Sequence, residues 1–347
     1  MPATLPHVVL GVLTHNSSRY LPHTVPSYLA QRGVRCQVLV LDNASSDDTC
    51  ALLQRSSPAI TVVQSEQNLG FSAGHNALLR LAVEQGATYY ACINADCLLA
   101  PDYLAQLCRA LENTPDAASA TGHVYRWYFP MELFLCQLST DLPTDTTGIA
   151  MSRAHHWTDI AQGQRVLAGA GSTPGSPWGV SGAAAVYKLS ALEATAHRVT
   201  GQAEYFDELI NMYKEDVELS YRLRSAGYGA CYVPTAHAWH DRTVASRSGW
   251  GRIVQLWERI TDPQLSSQRS YAHQRYIVWK YRPLWRSTAR KWPTWWRILW
   301  QWLYMLLLEP QCLRAWWRLQ REEKPAMLAK QRELFDRILP IARQGQH

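Results

Sequence analysis

Val38-Leu39-Val40-Leu41-Asp42-Asn43-Ala44-Ser45-Ser46-Asp47-Asp48-Thr49 is the stretch on which the fold turns. Its apolar residues make a buried-type strand, and they run into a polar loop of helix-capping residues. The capping job falls to Ser45–Asp48, which leaves Asp42 at the strand tip for another purpose. The neighbouring segments repeat the pattern. Val8–Leu13 is a short apolar run ending at Thr14-His15-Asn16, and a helical stretch over Leu21–Gln31 follows it. Thr61–Gln64 reads as a third strand and Gly70–Gln85 as a helix, with apolar residues near every third or fourth position. Thr88–Ile93 reads as the next strand and stops at Asn94-Ala95-Asp96. Strands alternating with helices of this length predict an α/β fold, a mostly parallel sheet with helices on both faces. Open sheets of that kind bind ligands beyond the carboxyl ends of their strands. Thr14, Asp42 and Asp96 are therefore expected around one crevice.

The residue types there suit particular chemistry. A carboxylate only accepts hydrogen bonds, so Asp42 could receive the ring N–H of a nucleobase. Asp96 could hold Mg²⁺ or Mn²⁺ against a diphosphate, because both ions take oxygen ligands; Asn-Ala-Asp alone is as readily a turn. Lys214-Glu215-Asp216-Val217-Glu218 opens a helix that stops at Gly227. Acidic residues in a first turn suit the helix dipole, and one positioned carboxylate also suffices as a general base. Spacing does not choose between Glu215 and Asp216. His237 and His240 follow a strand at Ala230–Val233, and His155-His156 lies in a polar loop and reads as structural.

Composition narrows the field. With 347 residues, 47% hydrophobic and 18% charged, the chain is a folded globular protein and not a disordered one. Eight scattered cysteines without a C-x-x-C pair suggest neither a zinc site nor a disulfide framework. Cys92 and Cys97 flank the strand that carries Asp96 and are expected as thiols. No basic segment precedes the first apolar run, so no signal peptide is read. Ile298–Leu308, broken by Gln301, falls short of the roughly 20 apolar residues of a membrane span. The expected location is the cytoplasm, including the inner face of the cytoplasmic membrane.

Charge changes abruptly along the chain. From Arg269 to Arg321 eleven basic residues face one acid, Glu309, for a net +10; the whole chain is +6, so the remainder carries −4. Nine of the 15 tryptophans fall between Trp279 and Trp317. The shift places a boundary near residue 245, with residues 1–245 as the α/β unit and 246–347 as a helical, Trp- and Arg-rich region. Helices are predicted over Pro293–Leu308, Gln311–Arg321 and Ala326–Leu339. Tryptophan with arginine on a helix fits a surface lying in a membrane interface, and equally a set of helices packed on the α/β unit. No nucleic-acid-binding motif accompanies the basic residues.

Taken in order, these segments resemble family 2 of the inverting glycosyltransferases, and its bacterial rhamnosyltransferase-like branch in particular. Val38–Thr49 is similar to that family's V-V-D-N-x-S-x-D-x-T segment, and Asn68-Leu69-Gly70-Phe71-Ser72-Ala73-Gly74-His75-Asn76 to its N-x-G-F-x-x-G-x-N element. Asn94-Ala95-Asp96 stands at its D-x-D position, commonly N-x-D in this branch. Gly182-Ala183 resembles the strand lining the sugar pocket. Phe206-Asp207-Glu208 with Tyr213–Leu219 is similar to the F-D-E … Y-x-E-D-x-D-L block, with Glu218 in place of the last Asp. The resemblance covers about residues 7–245. It implies a GT-A fold, a nucleotide-sugar donor (dTDP- or UDP-linked) and single-displacement inversion, with a glycan or lipid-linked glycan hydroxyl as acceptor during cell-surface polysaccharide synthesis. By the same matching Asp216 would be the general base. Asp96 and His240 would bind the metal. Thr14, Asn16, Asp42, Asn68, Gly70, Asn94, Gly182, Ala183 and Glu215 would line the nucleotide and sugar. Rhamnose is favoured only through the branch. A sugar nucleotidyltransferase would want a Gly-rich basic loop where Thr14–Ser18 stands, and a processive synthase would want spans and a Q-x-x-R-W motif. A membrane-bound adaptor with a decayed site is the remaining alternative, weakened by the presence of all three acidic candidates.

Overall fold

The computed structural model of the protein describes residues 4–56, 60–128, 139–165, 176–241, 265–285 and 288–344. Its centre is a sheet in which the apolar runs lie side by side. β1 (His7–Thr14) pairs in parallel with β2 (Arg35–Asn43) and with β4 (Tyr89–Asn94), while β3 (Ile60–Ser65) adds in parallel to β2. In register Thr14 stands opposite Asp42, and Leu13 opposite Asn94. The three polar strand tips therefore end at one level. Helices α1 (Leu21–Leu29), α2 (Thr49–Ser56), α3 (Gly70–Glu84) and α4 (Tyr103–Asn113) connect or follow these strands. Two buried clusters result, one containing Val8, Leu10 and Val12 and the other Val9, Leu39 and Leu41. Alternate residues of a strand point to opposite faces, so both faces of this sheet are covered.

Beyond β4 the sheet is less parallel than the sequence suggests. β10 (Ala184–Lys188) is inserted antiparallel between β4 and β6 (Ala117–Arg126). Gly182-Ala183 thus stands at the entry to a strand and not within it. β11 (Gly229–His240) runs much further than the four residues expected. It pairs in parallel with β6, with a break in register between Val233 and His237, and its end pairs antiparallel with β5 (Cys97–Leu99), His240 opposite Cys97. The break passes over Gly122, where an added Cβ would lie 2.1 Å from the Ala236 carbonyl oxygen. Only glycine allows that approach, and the approach carries His240 to the β4–β5 turn. β7 (Thr144–Thr146) joins the edge of β6; β8 (Ile149–Met151) and β9 (Trp157–Asp159) form a small separate ribbon. α5 (Leu189–Thr195) and α6 (Glu215–Ser225) complete this part.

The C-terminal part is helical: α7 (Leu265–Tyr281), a short 3₁₀ turn at Arg282–Leu284, α8 (Thr288–Leu308), α9 (Pro310–Glu333), a π turn at Leu334–Ile338 and α10 (Leu339–Gln344). The boundary expected near residue 245 lies outside the described residues. Two helix expectations are corrected. α8 starts at Thr288, so Pro293 sits inside it. The helices expected over Gln311–Arg321 and Ala326–Leu339 are one, which runs through Pro325. Buried Leu313 and Trp316 before that proline and Met327 after it pack into one core. That third core also takes Val217 and Tyr221 of α6, with the Tyr221 and Tyr281 rings stacked 3.9 Å apart. Among the described residues no helix is long and apolar enough to cross a membrane.

Candidate active site

The first tip is built around Asp42. It is buried, and one carboxylate oxygen accepts hydrogen bonds from Thr14 Oγ1 (3.3 Å) and Ser45 Oγ (2.5 Å). Thr14 is fully buried, so its hydroxyl orients Asp42 and offers no open contact. Ser45 serves the same carboxylate instead of capping α2, where Asp47 receives the Thr49 N–H at 3.0 Å. Asn16 adopts a positive φ of 50° and accepts the Ser46 N–H at 2.8 Å, closing the rim. Asn68 accepts from Asn43 Nδ2 (3.1 Å) and from the Gly70 N–H (2.9 Å), which joins the start of α3 to the tip of β2.

Asp96 and His240 meet at the second tip. His240 Nε2 lies 3.4 Å from Asp96 Oδ1 and 3.3 Å from the Asn94 amide nitrogen. Its other nitrogen, Nδ1, is 2.9 Å from Asp145 Oδ2, and Asp145 also faces Arg126 at 3.8 Å. Burial alone would depress the imidazole pKa, but Asp96 and Asp145 outweigh it and hold His240 near about 10. One carboxylate and one imidazole converge here, and the imidazole is oriented by a second carboxylate, as is usual for metal-bound histidine. The donor set fits Mn²⁺ or Mg²⁺, with remaining positions left for phosphate oxygens. Cys97 lies within the same group of donors, yet burial raises its thiol pKa strongly and its Sγ–H donates to the Ala183 carbonyl at 3.2 Å. It stays a thiol. Asp145 had no motif to announce it; only the long reach of β11 brings His240 to its side.

Asp216 approaches from the other side of Gly182-Ala183. Gly182 N–H donates to Asp216 Oδ2 (3.2 Å), while the Ala183 carbonyl accepts the Asn94 N–H (2.9 Å). Two consecutive residues thus link the α6 carboxylate to the strand tip that carries Asp96. Glu215 is buried and one of its carboxylate oxygens has no hydrogen-bond partner, whereas Asp216 keeps part of its surface open. Burial, then the Asp216 charge, pushes Glu215 up to about 8. Burial also raises Asp216; Lys214 opposes this and Asp159 adds to it. Exposure separates the two carboxylates where spacing did not. The turn before them is strained, since Tyr213 and Lys214 both have positive φ, 66° and 79°. It is held from two directions: His273 Nδ1 of α7 lies 2.9 Å from the Met212 carbonyl, and the Phe71 N–H donates to the Asn211 carbonyl at 2.7 Å.

Behind this turn lies a buried ionic core that the sequence did not reveal. Lys280 Nζ donates to Asp207 Oδ2 (2.7 Å), Glu218 Oε1 (2.7 Å) and His197 Nε2 (2.8 Å). Lys330 bridges Glu204 and Asp207, and Arg222 pairs with the other Glu218 oxygen at 3.1 Å. Tyr276 and Tyr281 hydroxyls complete Asp207 and Glu218. His197, Asp207 and Glu218 have the spacing of a metal site, but the lysine ammonium fills it. Burial and Lys280 depress the His197 pKa, so its neutral ring can accept from the lysine. Although burial opposes it, the surrounding cations hold Asp207 and Glu218 well below the usual carboxylate range. Glu218 therefore stands in the acidic block for support, and Lys280 of the basic region points inward, as does Lys330 beyond it. His155 has a structural place: it is buried, stacked on Trp285 at 4.1 Å and bonded to Thr294.

Residues 10–137 match the model of Glycosyl transferase family 2. Among curated proteins, the succinoglycan biosynthesis protein ExoO of Rhizobium meliloti (strain 1021) is 30% identical over 117 residues, 33% of this chain and 32% of ExoO. The chain thus matches about a third of the length of that relative. Among solved structures, GalNAc-T7 with UDP, GalNAc and Mn²⁺ aligns over 92% of this chain and 56% of its own, at a TM-score of 0.56 and 13% identity. Residues 1–349 of S. aureus TarS in complex with UDP align over 98% of this chain and 92% of that one, at a TM-score of 0.48 and 12% identity. The fold is GT-A, an α/β sheet domain followed by a helical C-terminal region.

Proposed function

We propose that this chain is an inverting glycosyltransferase that moves a sugar from a nucleotide diphosphate to a hydroxyl of a glycan or lipid-linked glycan. The observation that supports the reading is the Gly182-Ala183 link, in which Gly182 N–H donates to Asp216 and the Ala183 carbonyl accepts from Asn94, two residues before the Asp96 that faces His240. Asp42, oriented by Thr14 and Ser45, would accept a base N–H at the neighbouring tip. A divalent ion held by Asp96 and His240 would neutralise the diphosphate. Asp216, partly open and with its pKa raised by burial, would take the acceptor hydroxyl proton as the new bond forms. Two backbone N–H donors, Gly182 and Val217, fix its two oxygens and hence its angle of attack. Glu215, held protonated by burial and by the Asp216 charge, would keep the pair of neighbouring carboxyl groups at a single negative charge.

The match to family 2 and the kinship with a polysaccharide-biosynthesis protein support this reading. A dTDP donor carrying rhamnose is the first donor to test, on the strength of the branch motifs. The experiment is a thermal-shift screen of dTDP, UDP and GDP with and without Mn²⁺ or Mg²⁺, followed by nucleotide release from the matching sugar nucleotides on added acceptors. Metal-dependent stabilisation by one diphosphate and turnover of its sugar derivative are expected. Absence of both overturns the proposal.

A further inference from the structure

α8 is amphipathic the wrong way round for a helix in water. Its outward side chains include Trp292, Trp295, Trp296, Trp300, Leu306 and Leu307, with Trp292 74% and Leu307 76% exposed. At 100° per residue they fall within about 140° of the helix circumference and extend over roughly 22 Å. No charged residue interrupts that face between Trp292 and Leu307. The polar residues point inward: Thr294 is buried, and Arg297 donates to the Ala154 and His155 carbonyls and to Gln301 Oε1. These contacts fix the rotation of α8 about its axis, so the outward apolar stripe is built in. An isolated exposed tryptophan needs no explanation, but a continuous stripe of this length marks an interaction surface.

We infer that the outward face of α8 docks in the headgroup region of an anionic lipid surface. Tryptophan is the side chain that favours this boundary, having an apolar ring and one polar N–H. The stripe is too short to span a bilayer and long enough to lie in its plane. One cation is seated on the stripe and three more are exposed on the next helix. Arg282 lies 5.1 Å over the ring of Trp295, and exposed Arg314, Arg318 and Arg321 line α9 next to exposed Trp317. A second copy of the chain would bring the same apolar stripe and the same arginines but no carboxylate within the stripe to pair with them. An anionic bilayer answers both features at once. The inference is independent of the transferase reading, because binding to lipid needs neither donor nor acceptor.

The test is flotation of the full chain with vesicles of phosphatidylcholine alone and of phosphatidylcholine with phosphatidylglycerol, at low and high salt. Flotation with the anionic vesicles, weakened by salt, is expected. The Trp292→Ser/Trp296→Ser/Trp300→Ser variant should lose at least about tenfold in lipid partitioning while keeping its unfolding midpoint, since those side chains are solvent-facing. A second variant, Arg314→Gln/Arg318→Gln/Arg321→Gln, should lose the preference for anionic lipid, roughly fivefold for each cation. Failure of the full chain to float overturns the inference. So does sedimentation velocity showing a dimer that the tryptophan substitutions dissociate, which would make a second copy the occupant.

Discussion

Replacing Lys280 by methionine tests the buried core most directly. Glu204, Asp207 and Glu218 face Lys280, Lys330 and Arg222, three negative groups against three positive. Methionine keeps most of the volume and removes one cation from a fully buried position. Asp207 retains Lys330 and Glu218 retains Arg222, so neither carboxylate is stripped bare, but one negative charge is left over. Breaking a buried pair from one side costs about 3–5 kcal/mol, and that is the loss expected at pH 7. The pH dependence has a definite sign. In the native protein Asp207 and Glu218 have depressed pKa values, so their contribution is present above the unfolded carboxylate range and fades as pH falls through the folded values. In the variant the surplus charge pushes one carboxylate above its unfolded pKa, and protonation then relieves the penalty. The gap between the two proteins should therefore shrink as pH falls from 7 towards 5, by at most about 1.4 kcal/mol per pH unit. Urea unfolding followed by circular dichroism at several pH values measures it. A gap under about 1 kcal/mol at pH 7, or one unchanged at pH 5, would refute the reasoning.

Other outcomes follow from the site. Asp216→Asn should lower transfer on the order of 10²–10⁴-fold with donor binding retained, measured in single turnovers; near-native turnover would remove Asp216 from the base role. Burial and Asp159 raise the Asp216 pKa, so the rate should fall with acid above the ordinary carboxylate range, and Asp159→Asn should move that fall to lower pH in a kcat/KM profile. Asp145→Asn removes the carboxylate charge facing His240 Nδ1 and should weaken Mn²⁺ binding on the order of 10–100-fold by calorimetry. Unchanged affinity would detach His240 from the metal.

Much of the sheet was legible because its strands are short apolar runs ending in polar residues, a pattern that is local. Val8–Leu13, Val38–Leu41 and Thr88–Ile93 could be placed side by side from that alone, and their register puts Thr14, Asp42 and Asn94 level. The rest depends on partners far apart in the chain. The insertion of β10 next to β4 and the break in β11 over Gly122 are set by packing, which periodicity does not report. Asp145 sits in a three-residue strand with no pattern of its own. Lys280 belongs to a Trp- and Arg-rich run that fits a membrane-facing surface as well as packed helices, and nothing local shows it pointing at Asp207, 73 residues earlier.

That separation has a consequence for synthesis. The helix bearing Asp216 and the Glu204–Asp207 loop leave the ribosome well before Lys280 and Lys330, the cations that neutralise them. Until those lysines emerge, Glu204 and Asp207 lack the cations that neutralise them and Glu218 has only Arg222 of its own helix, so burial of that loop would leave charge uncompensated. Closure of this face is thereby deferred until α7 and α9, which carry the two lysines, have been made.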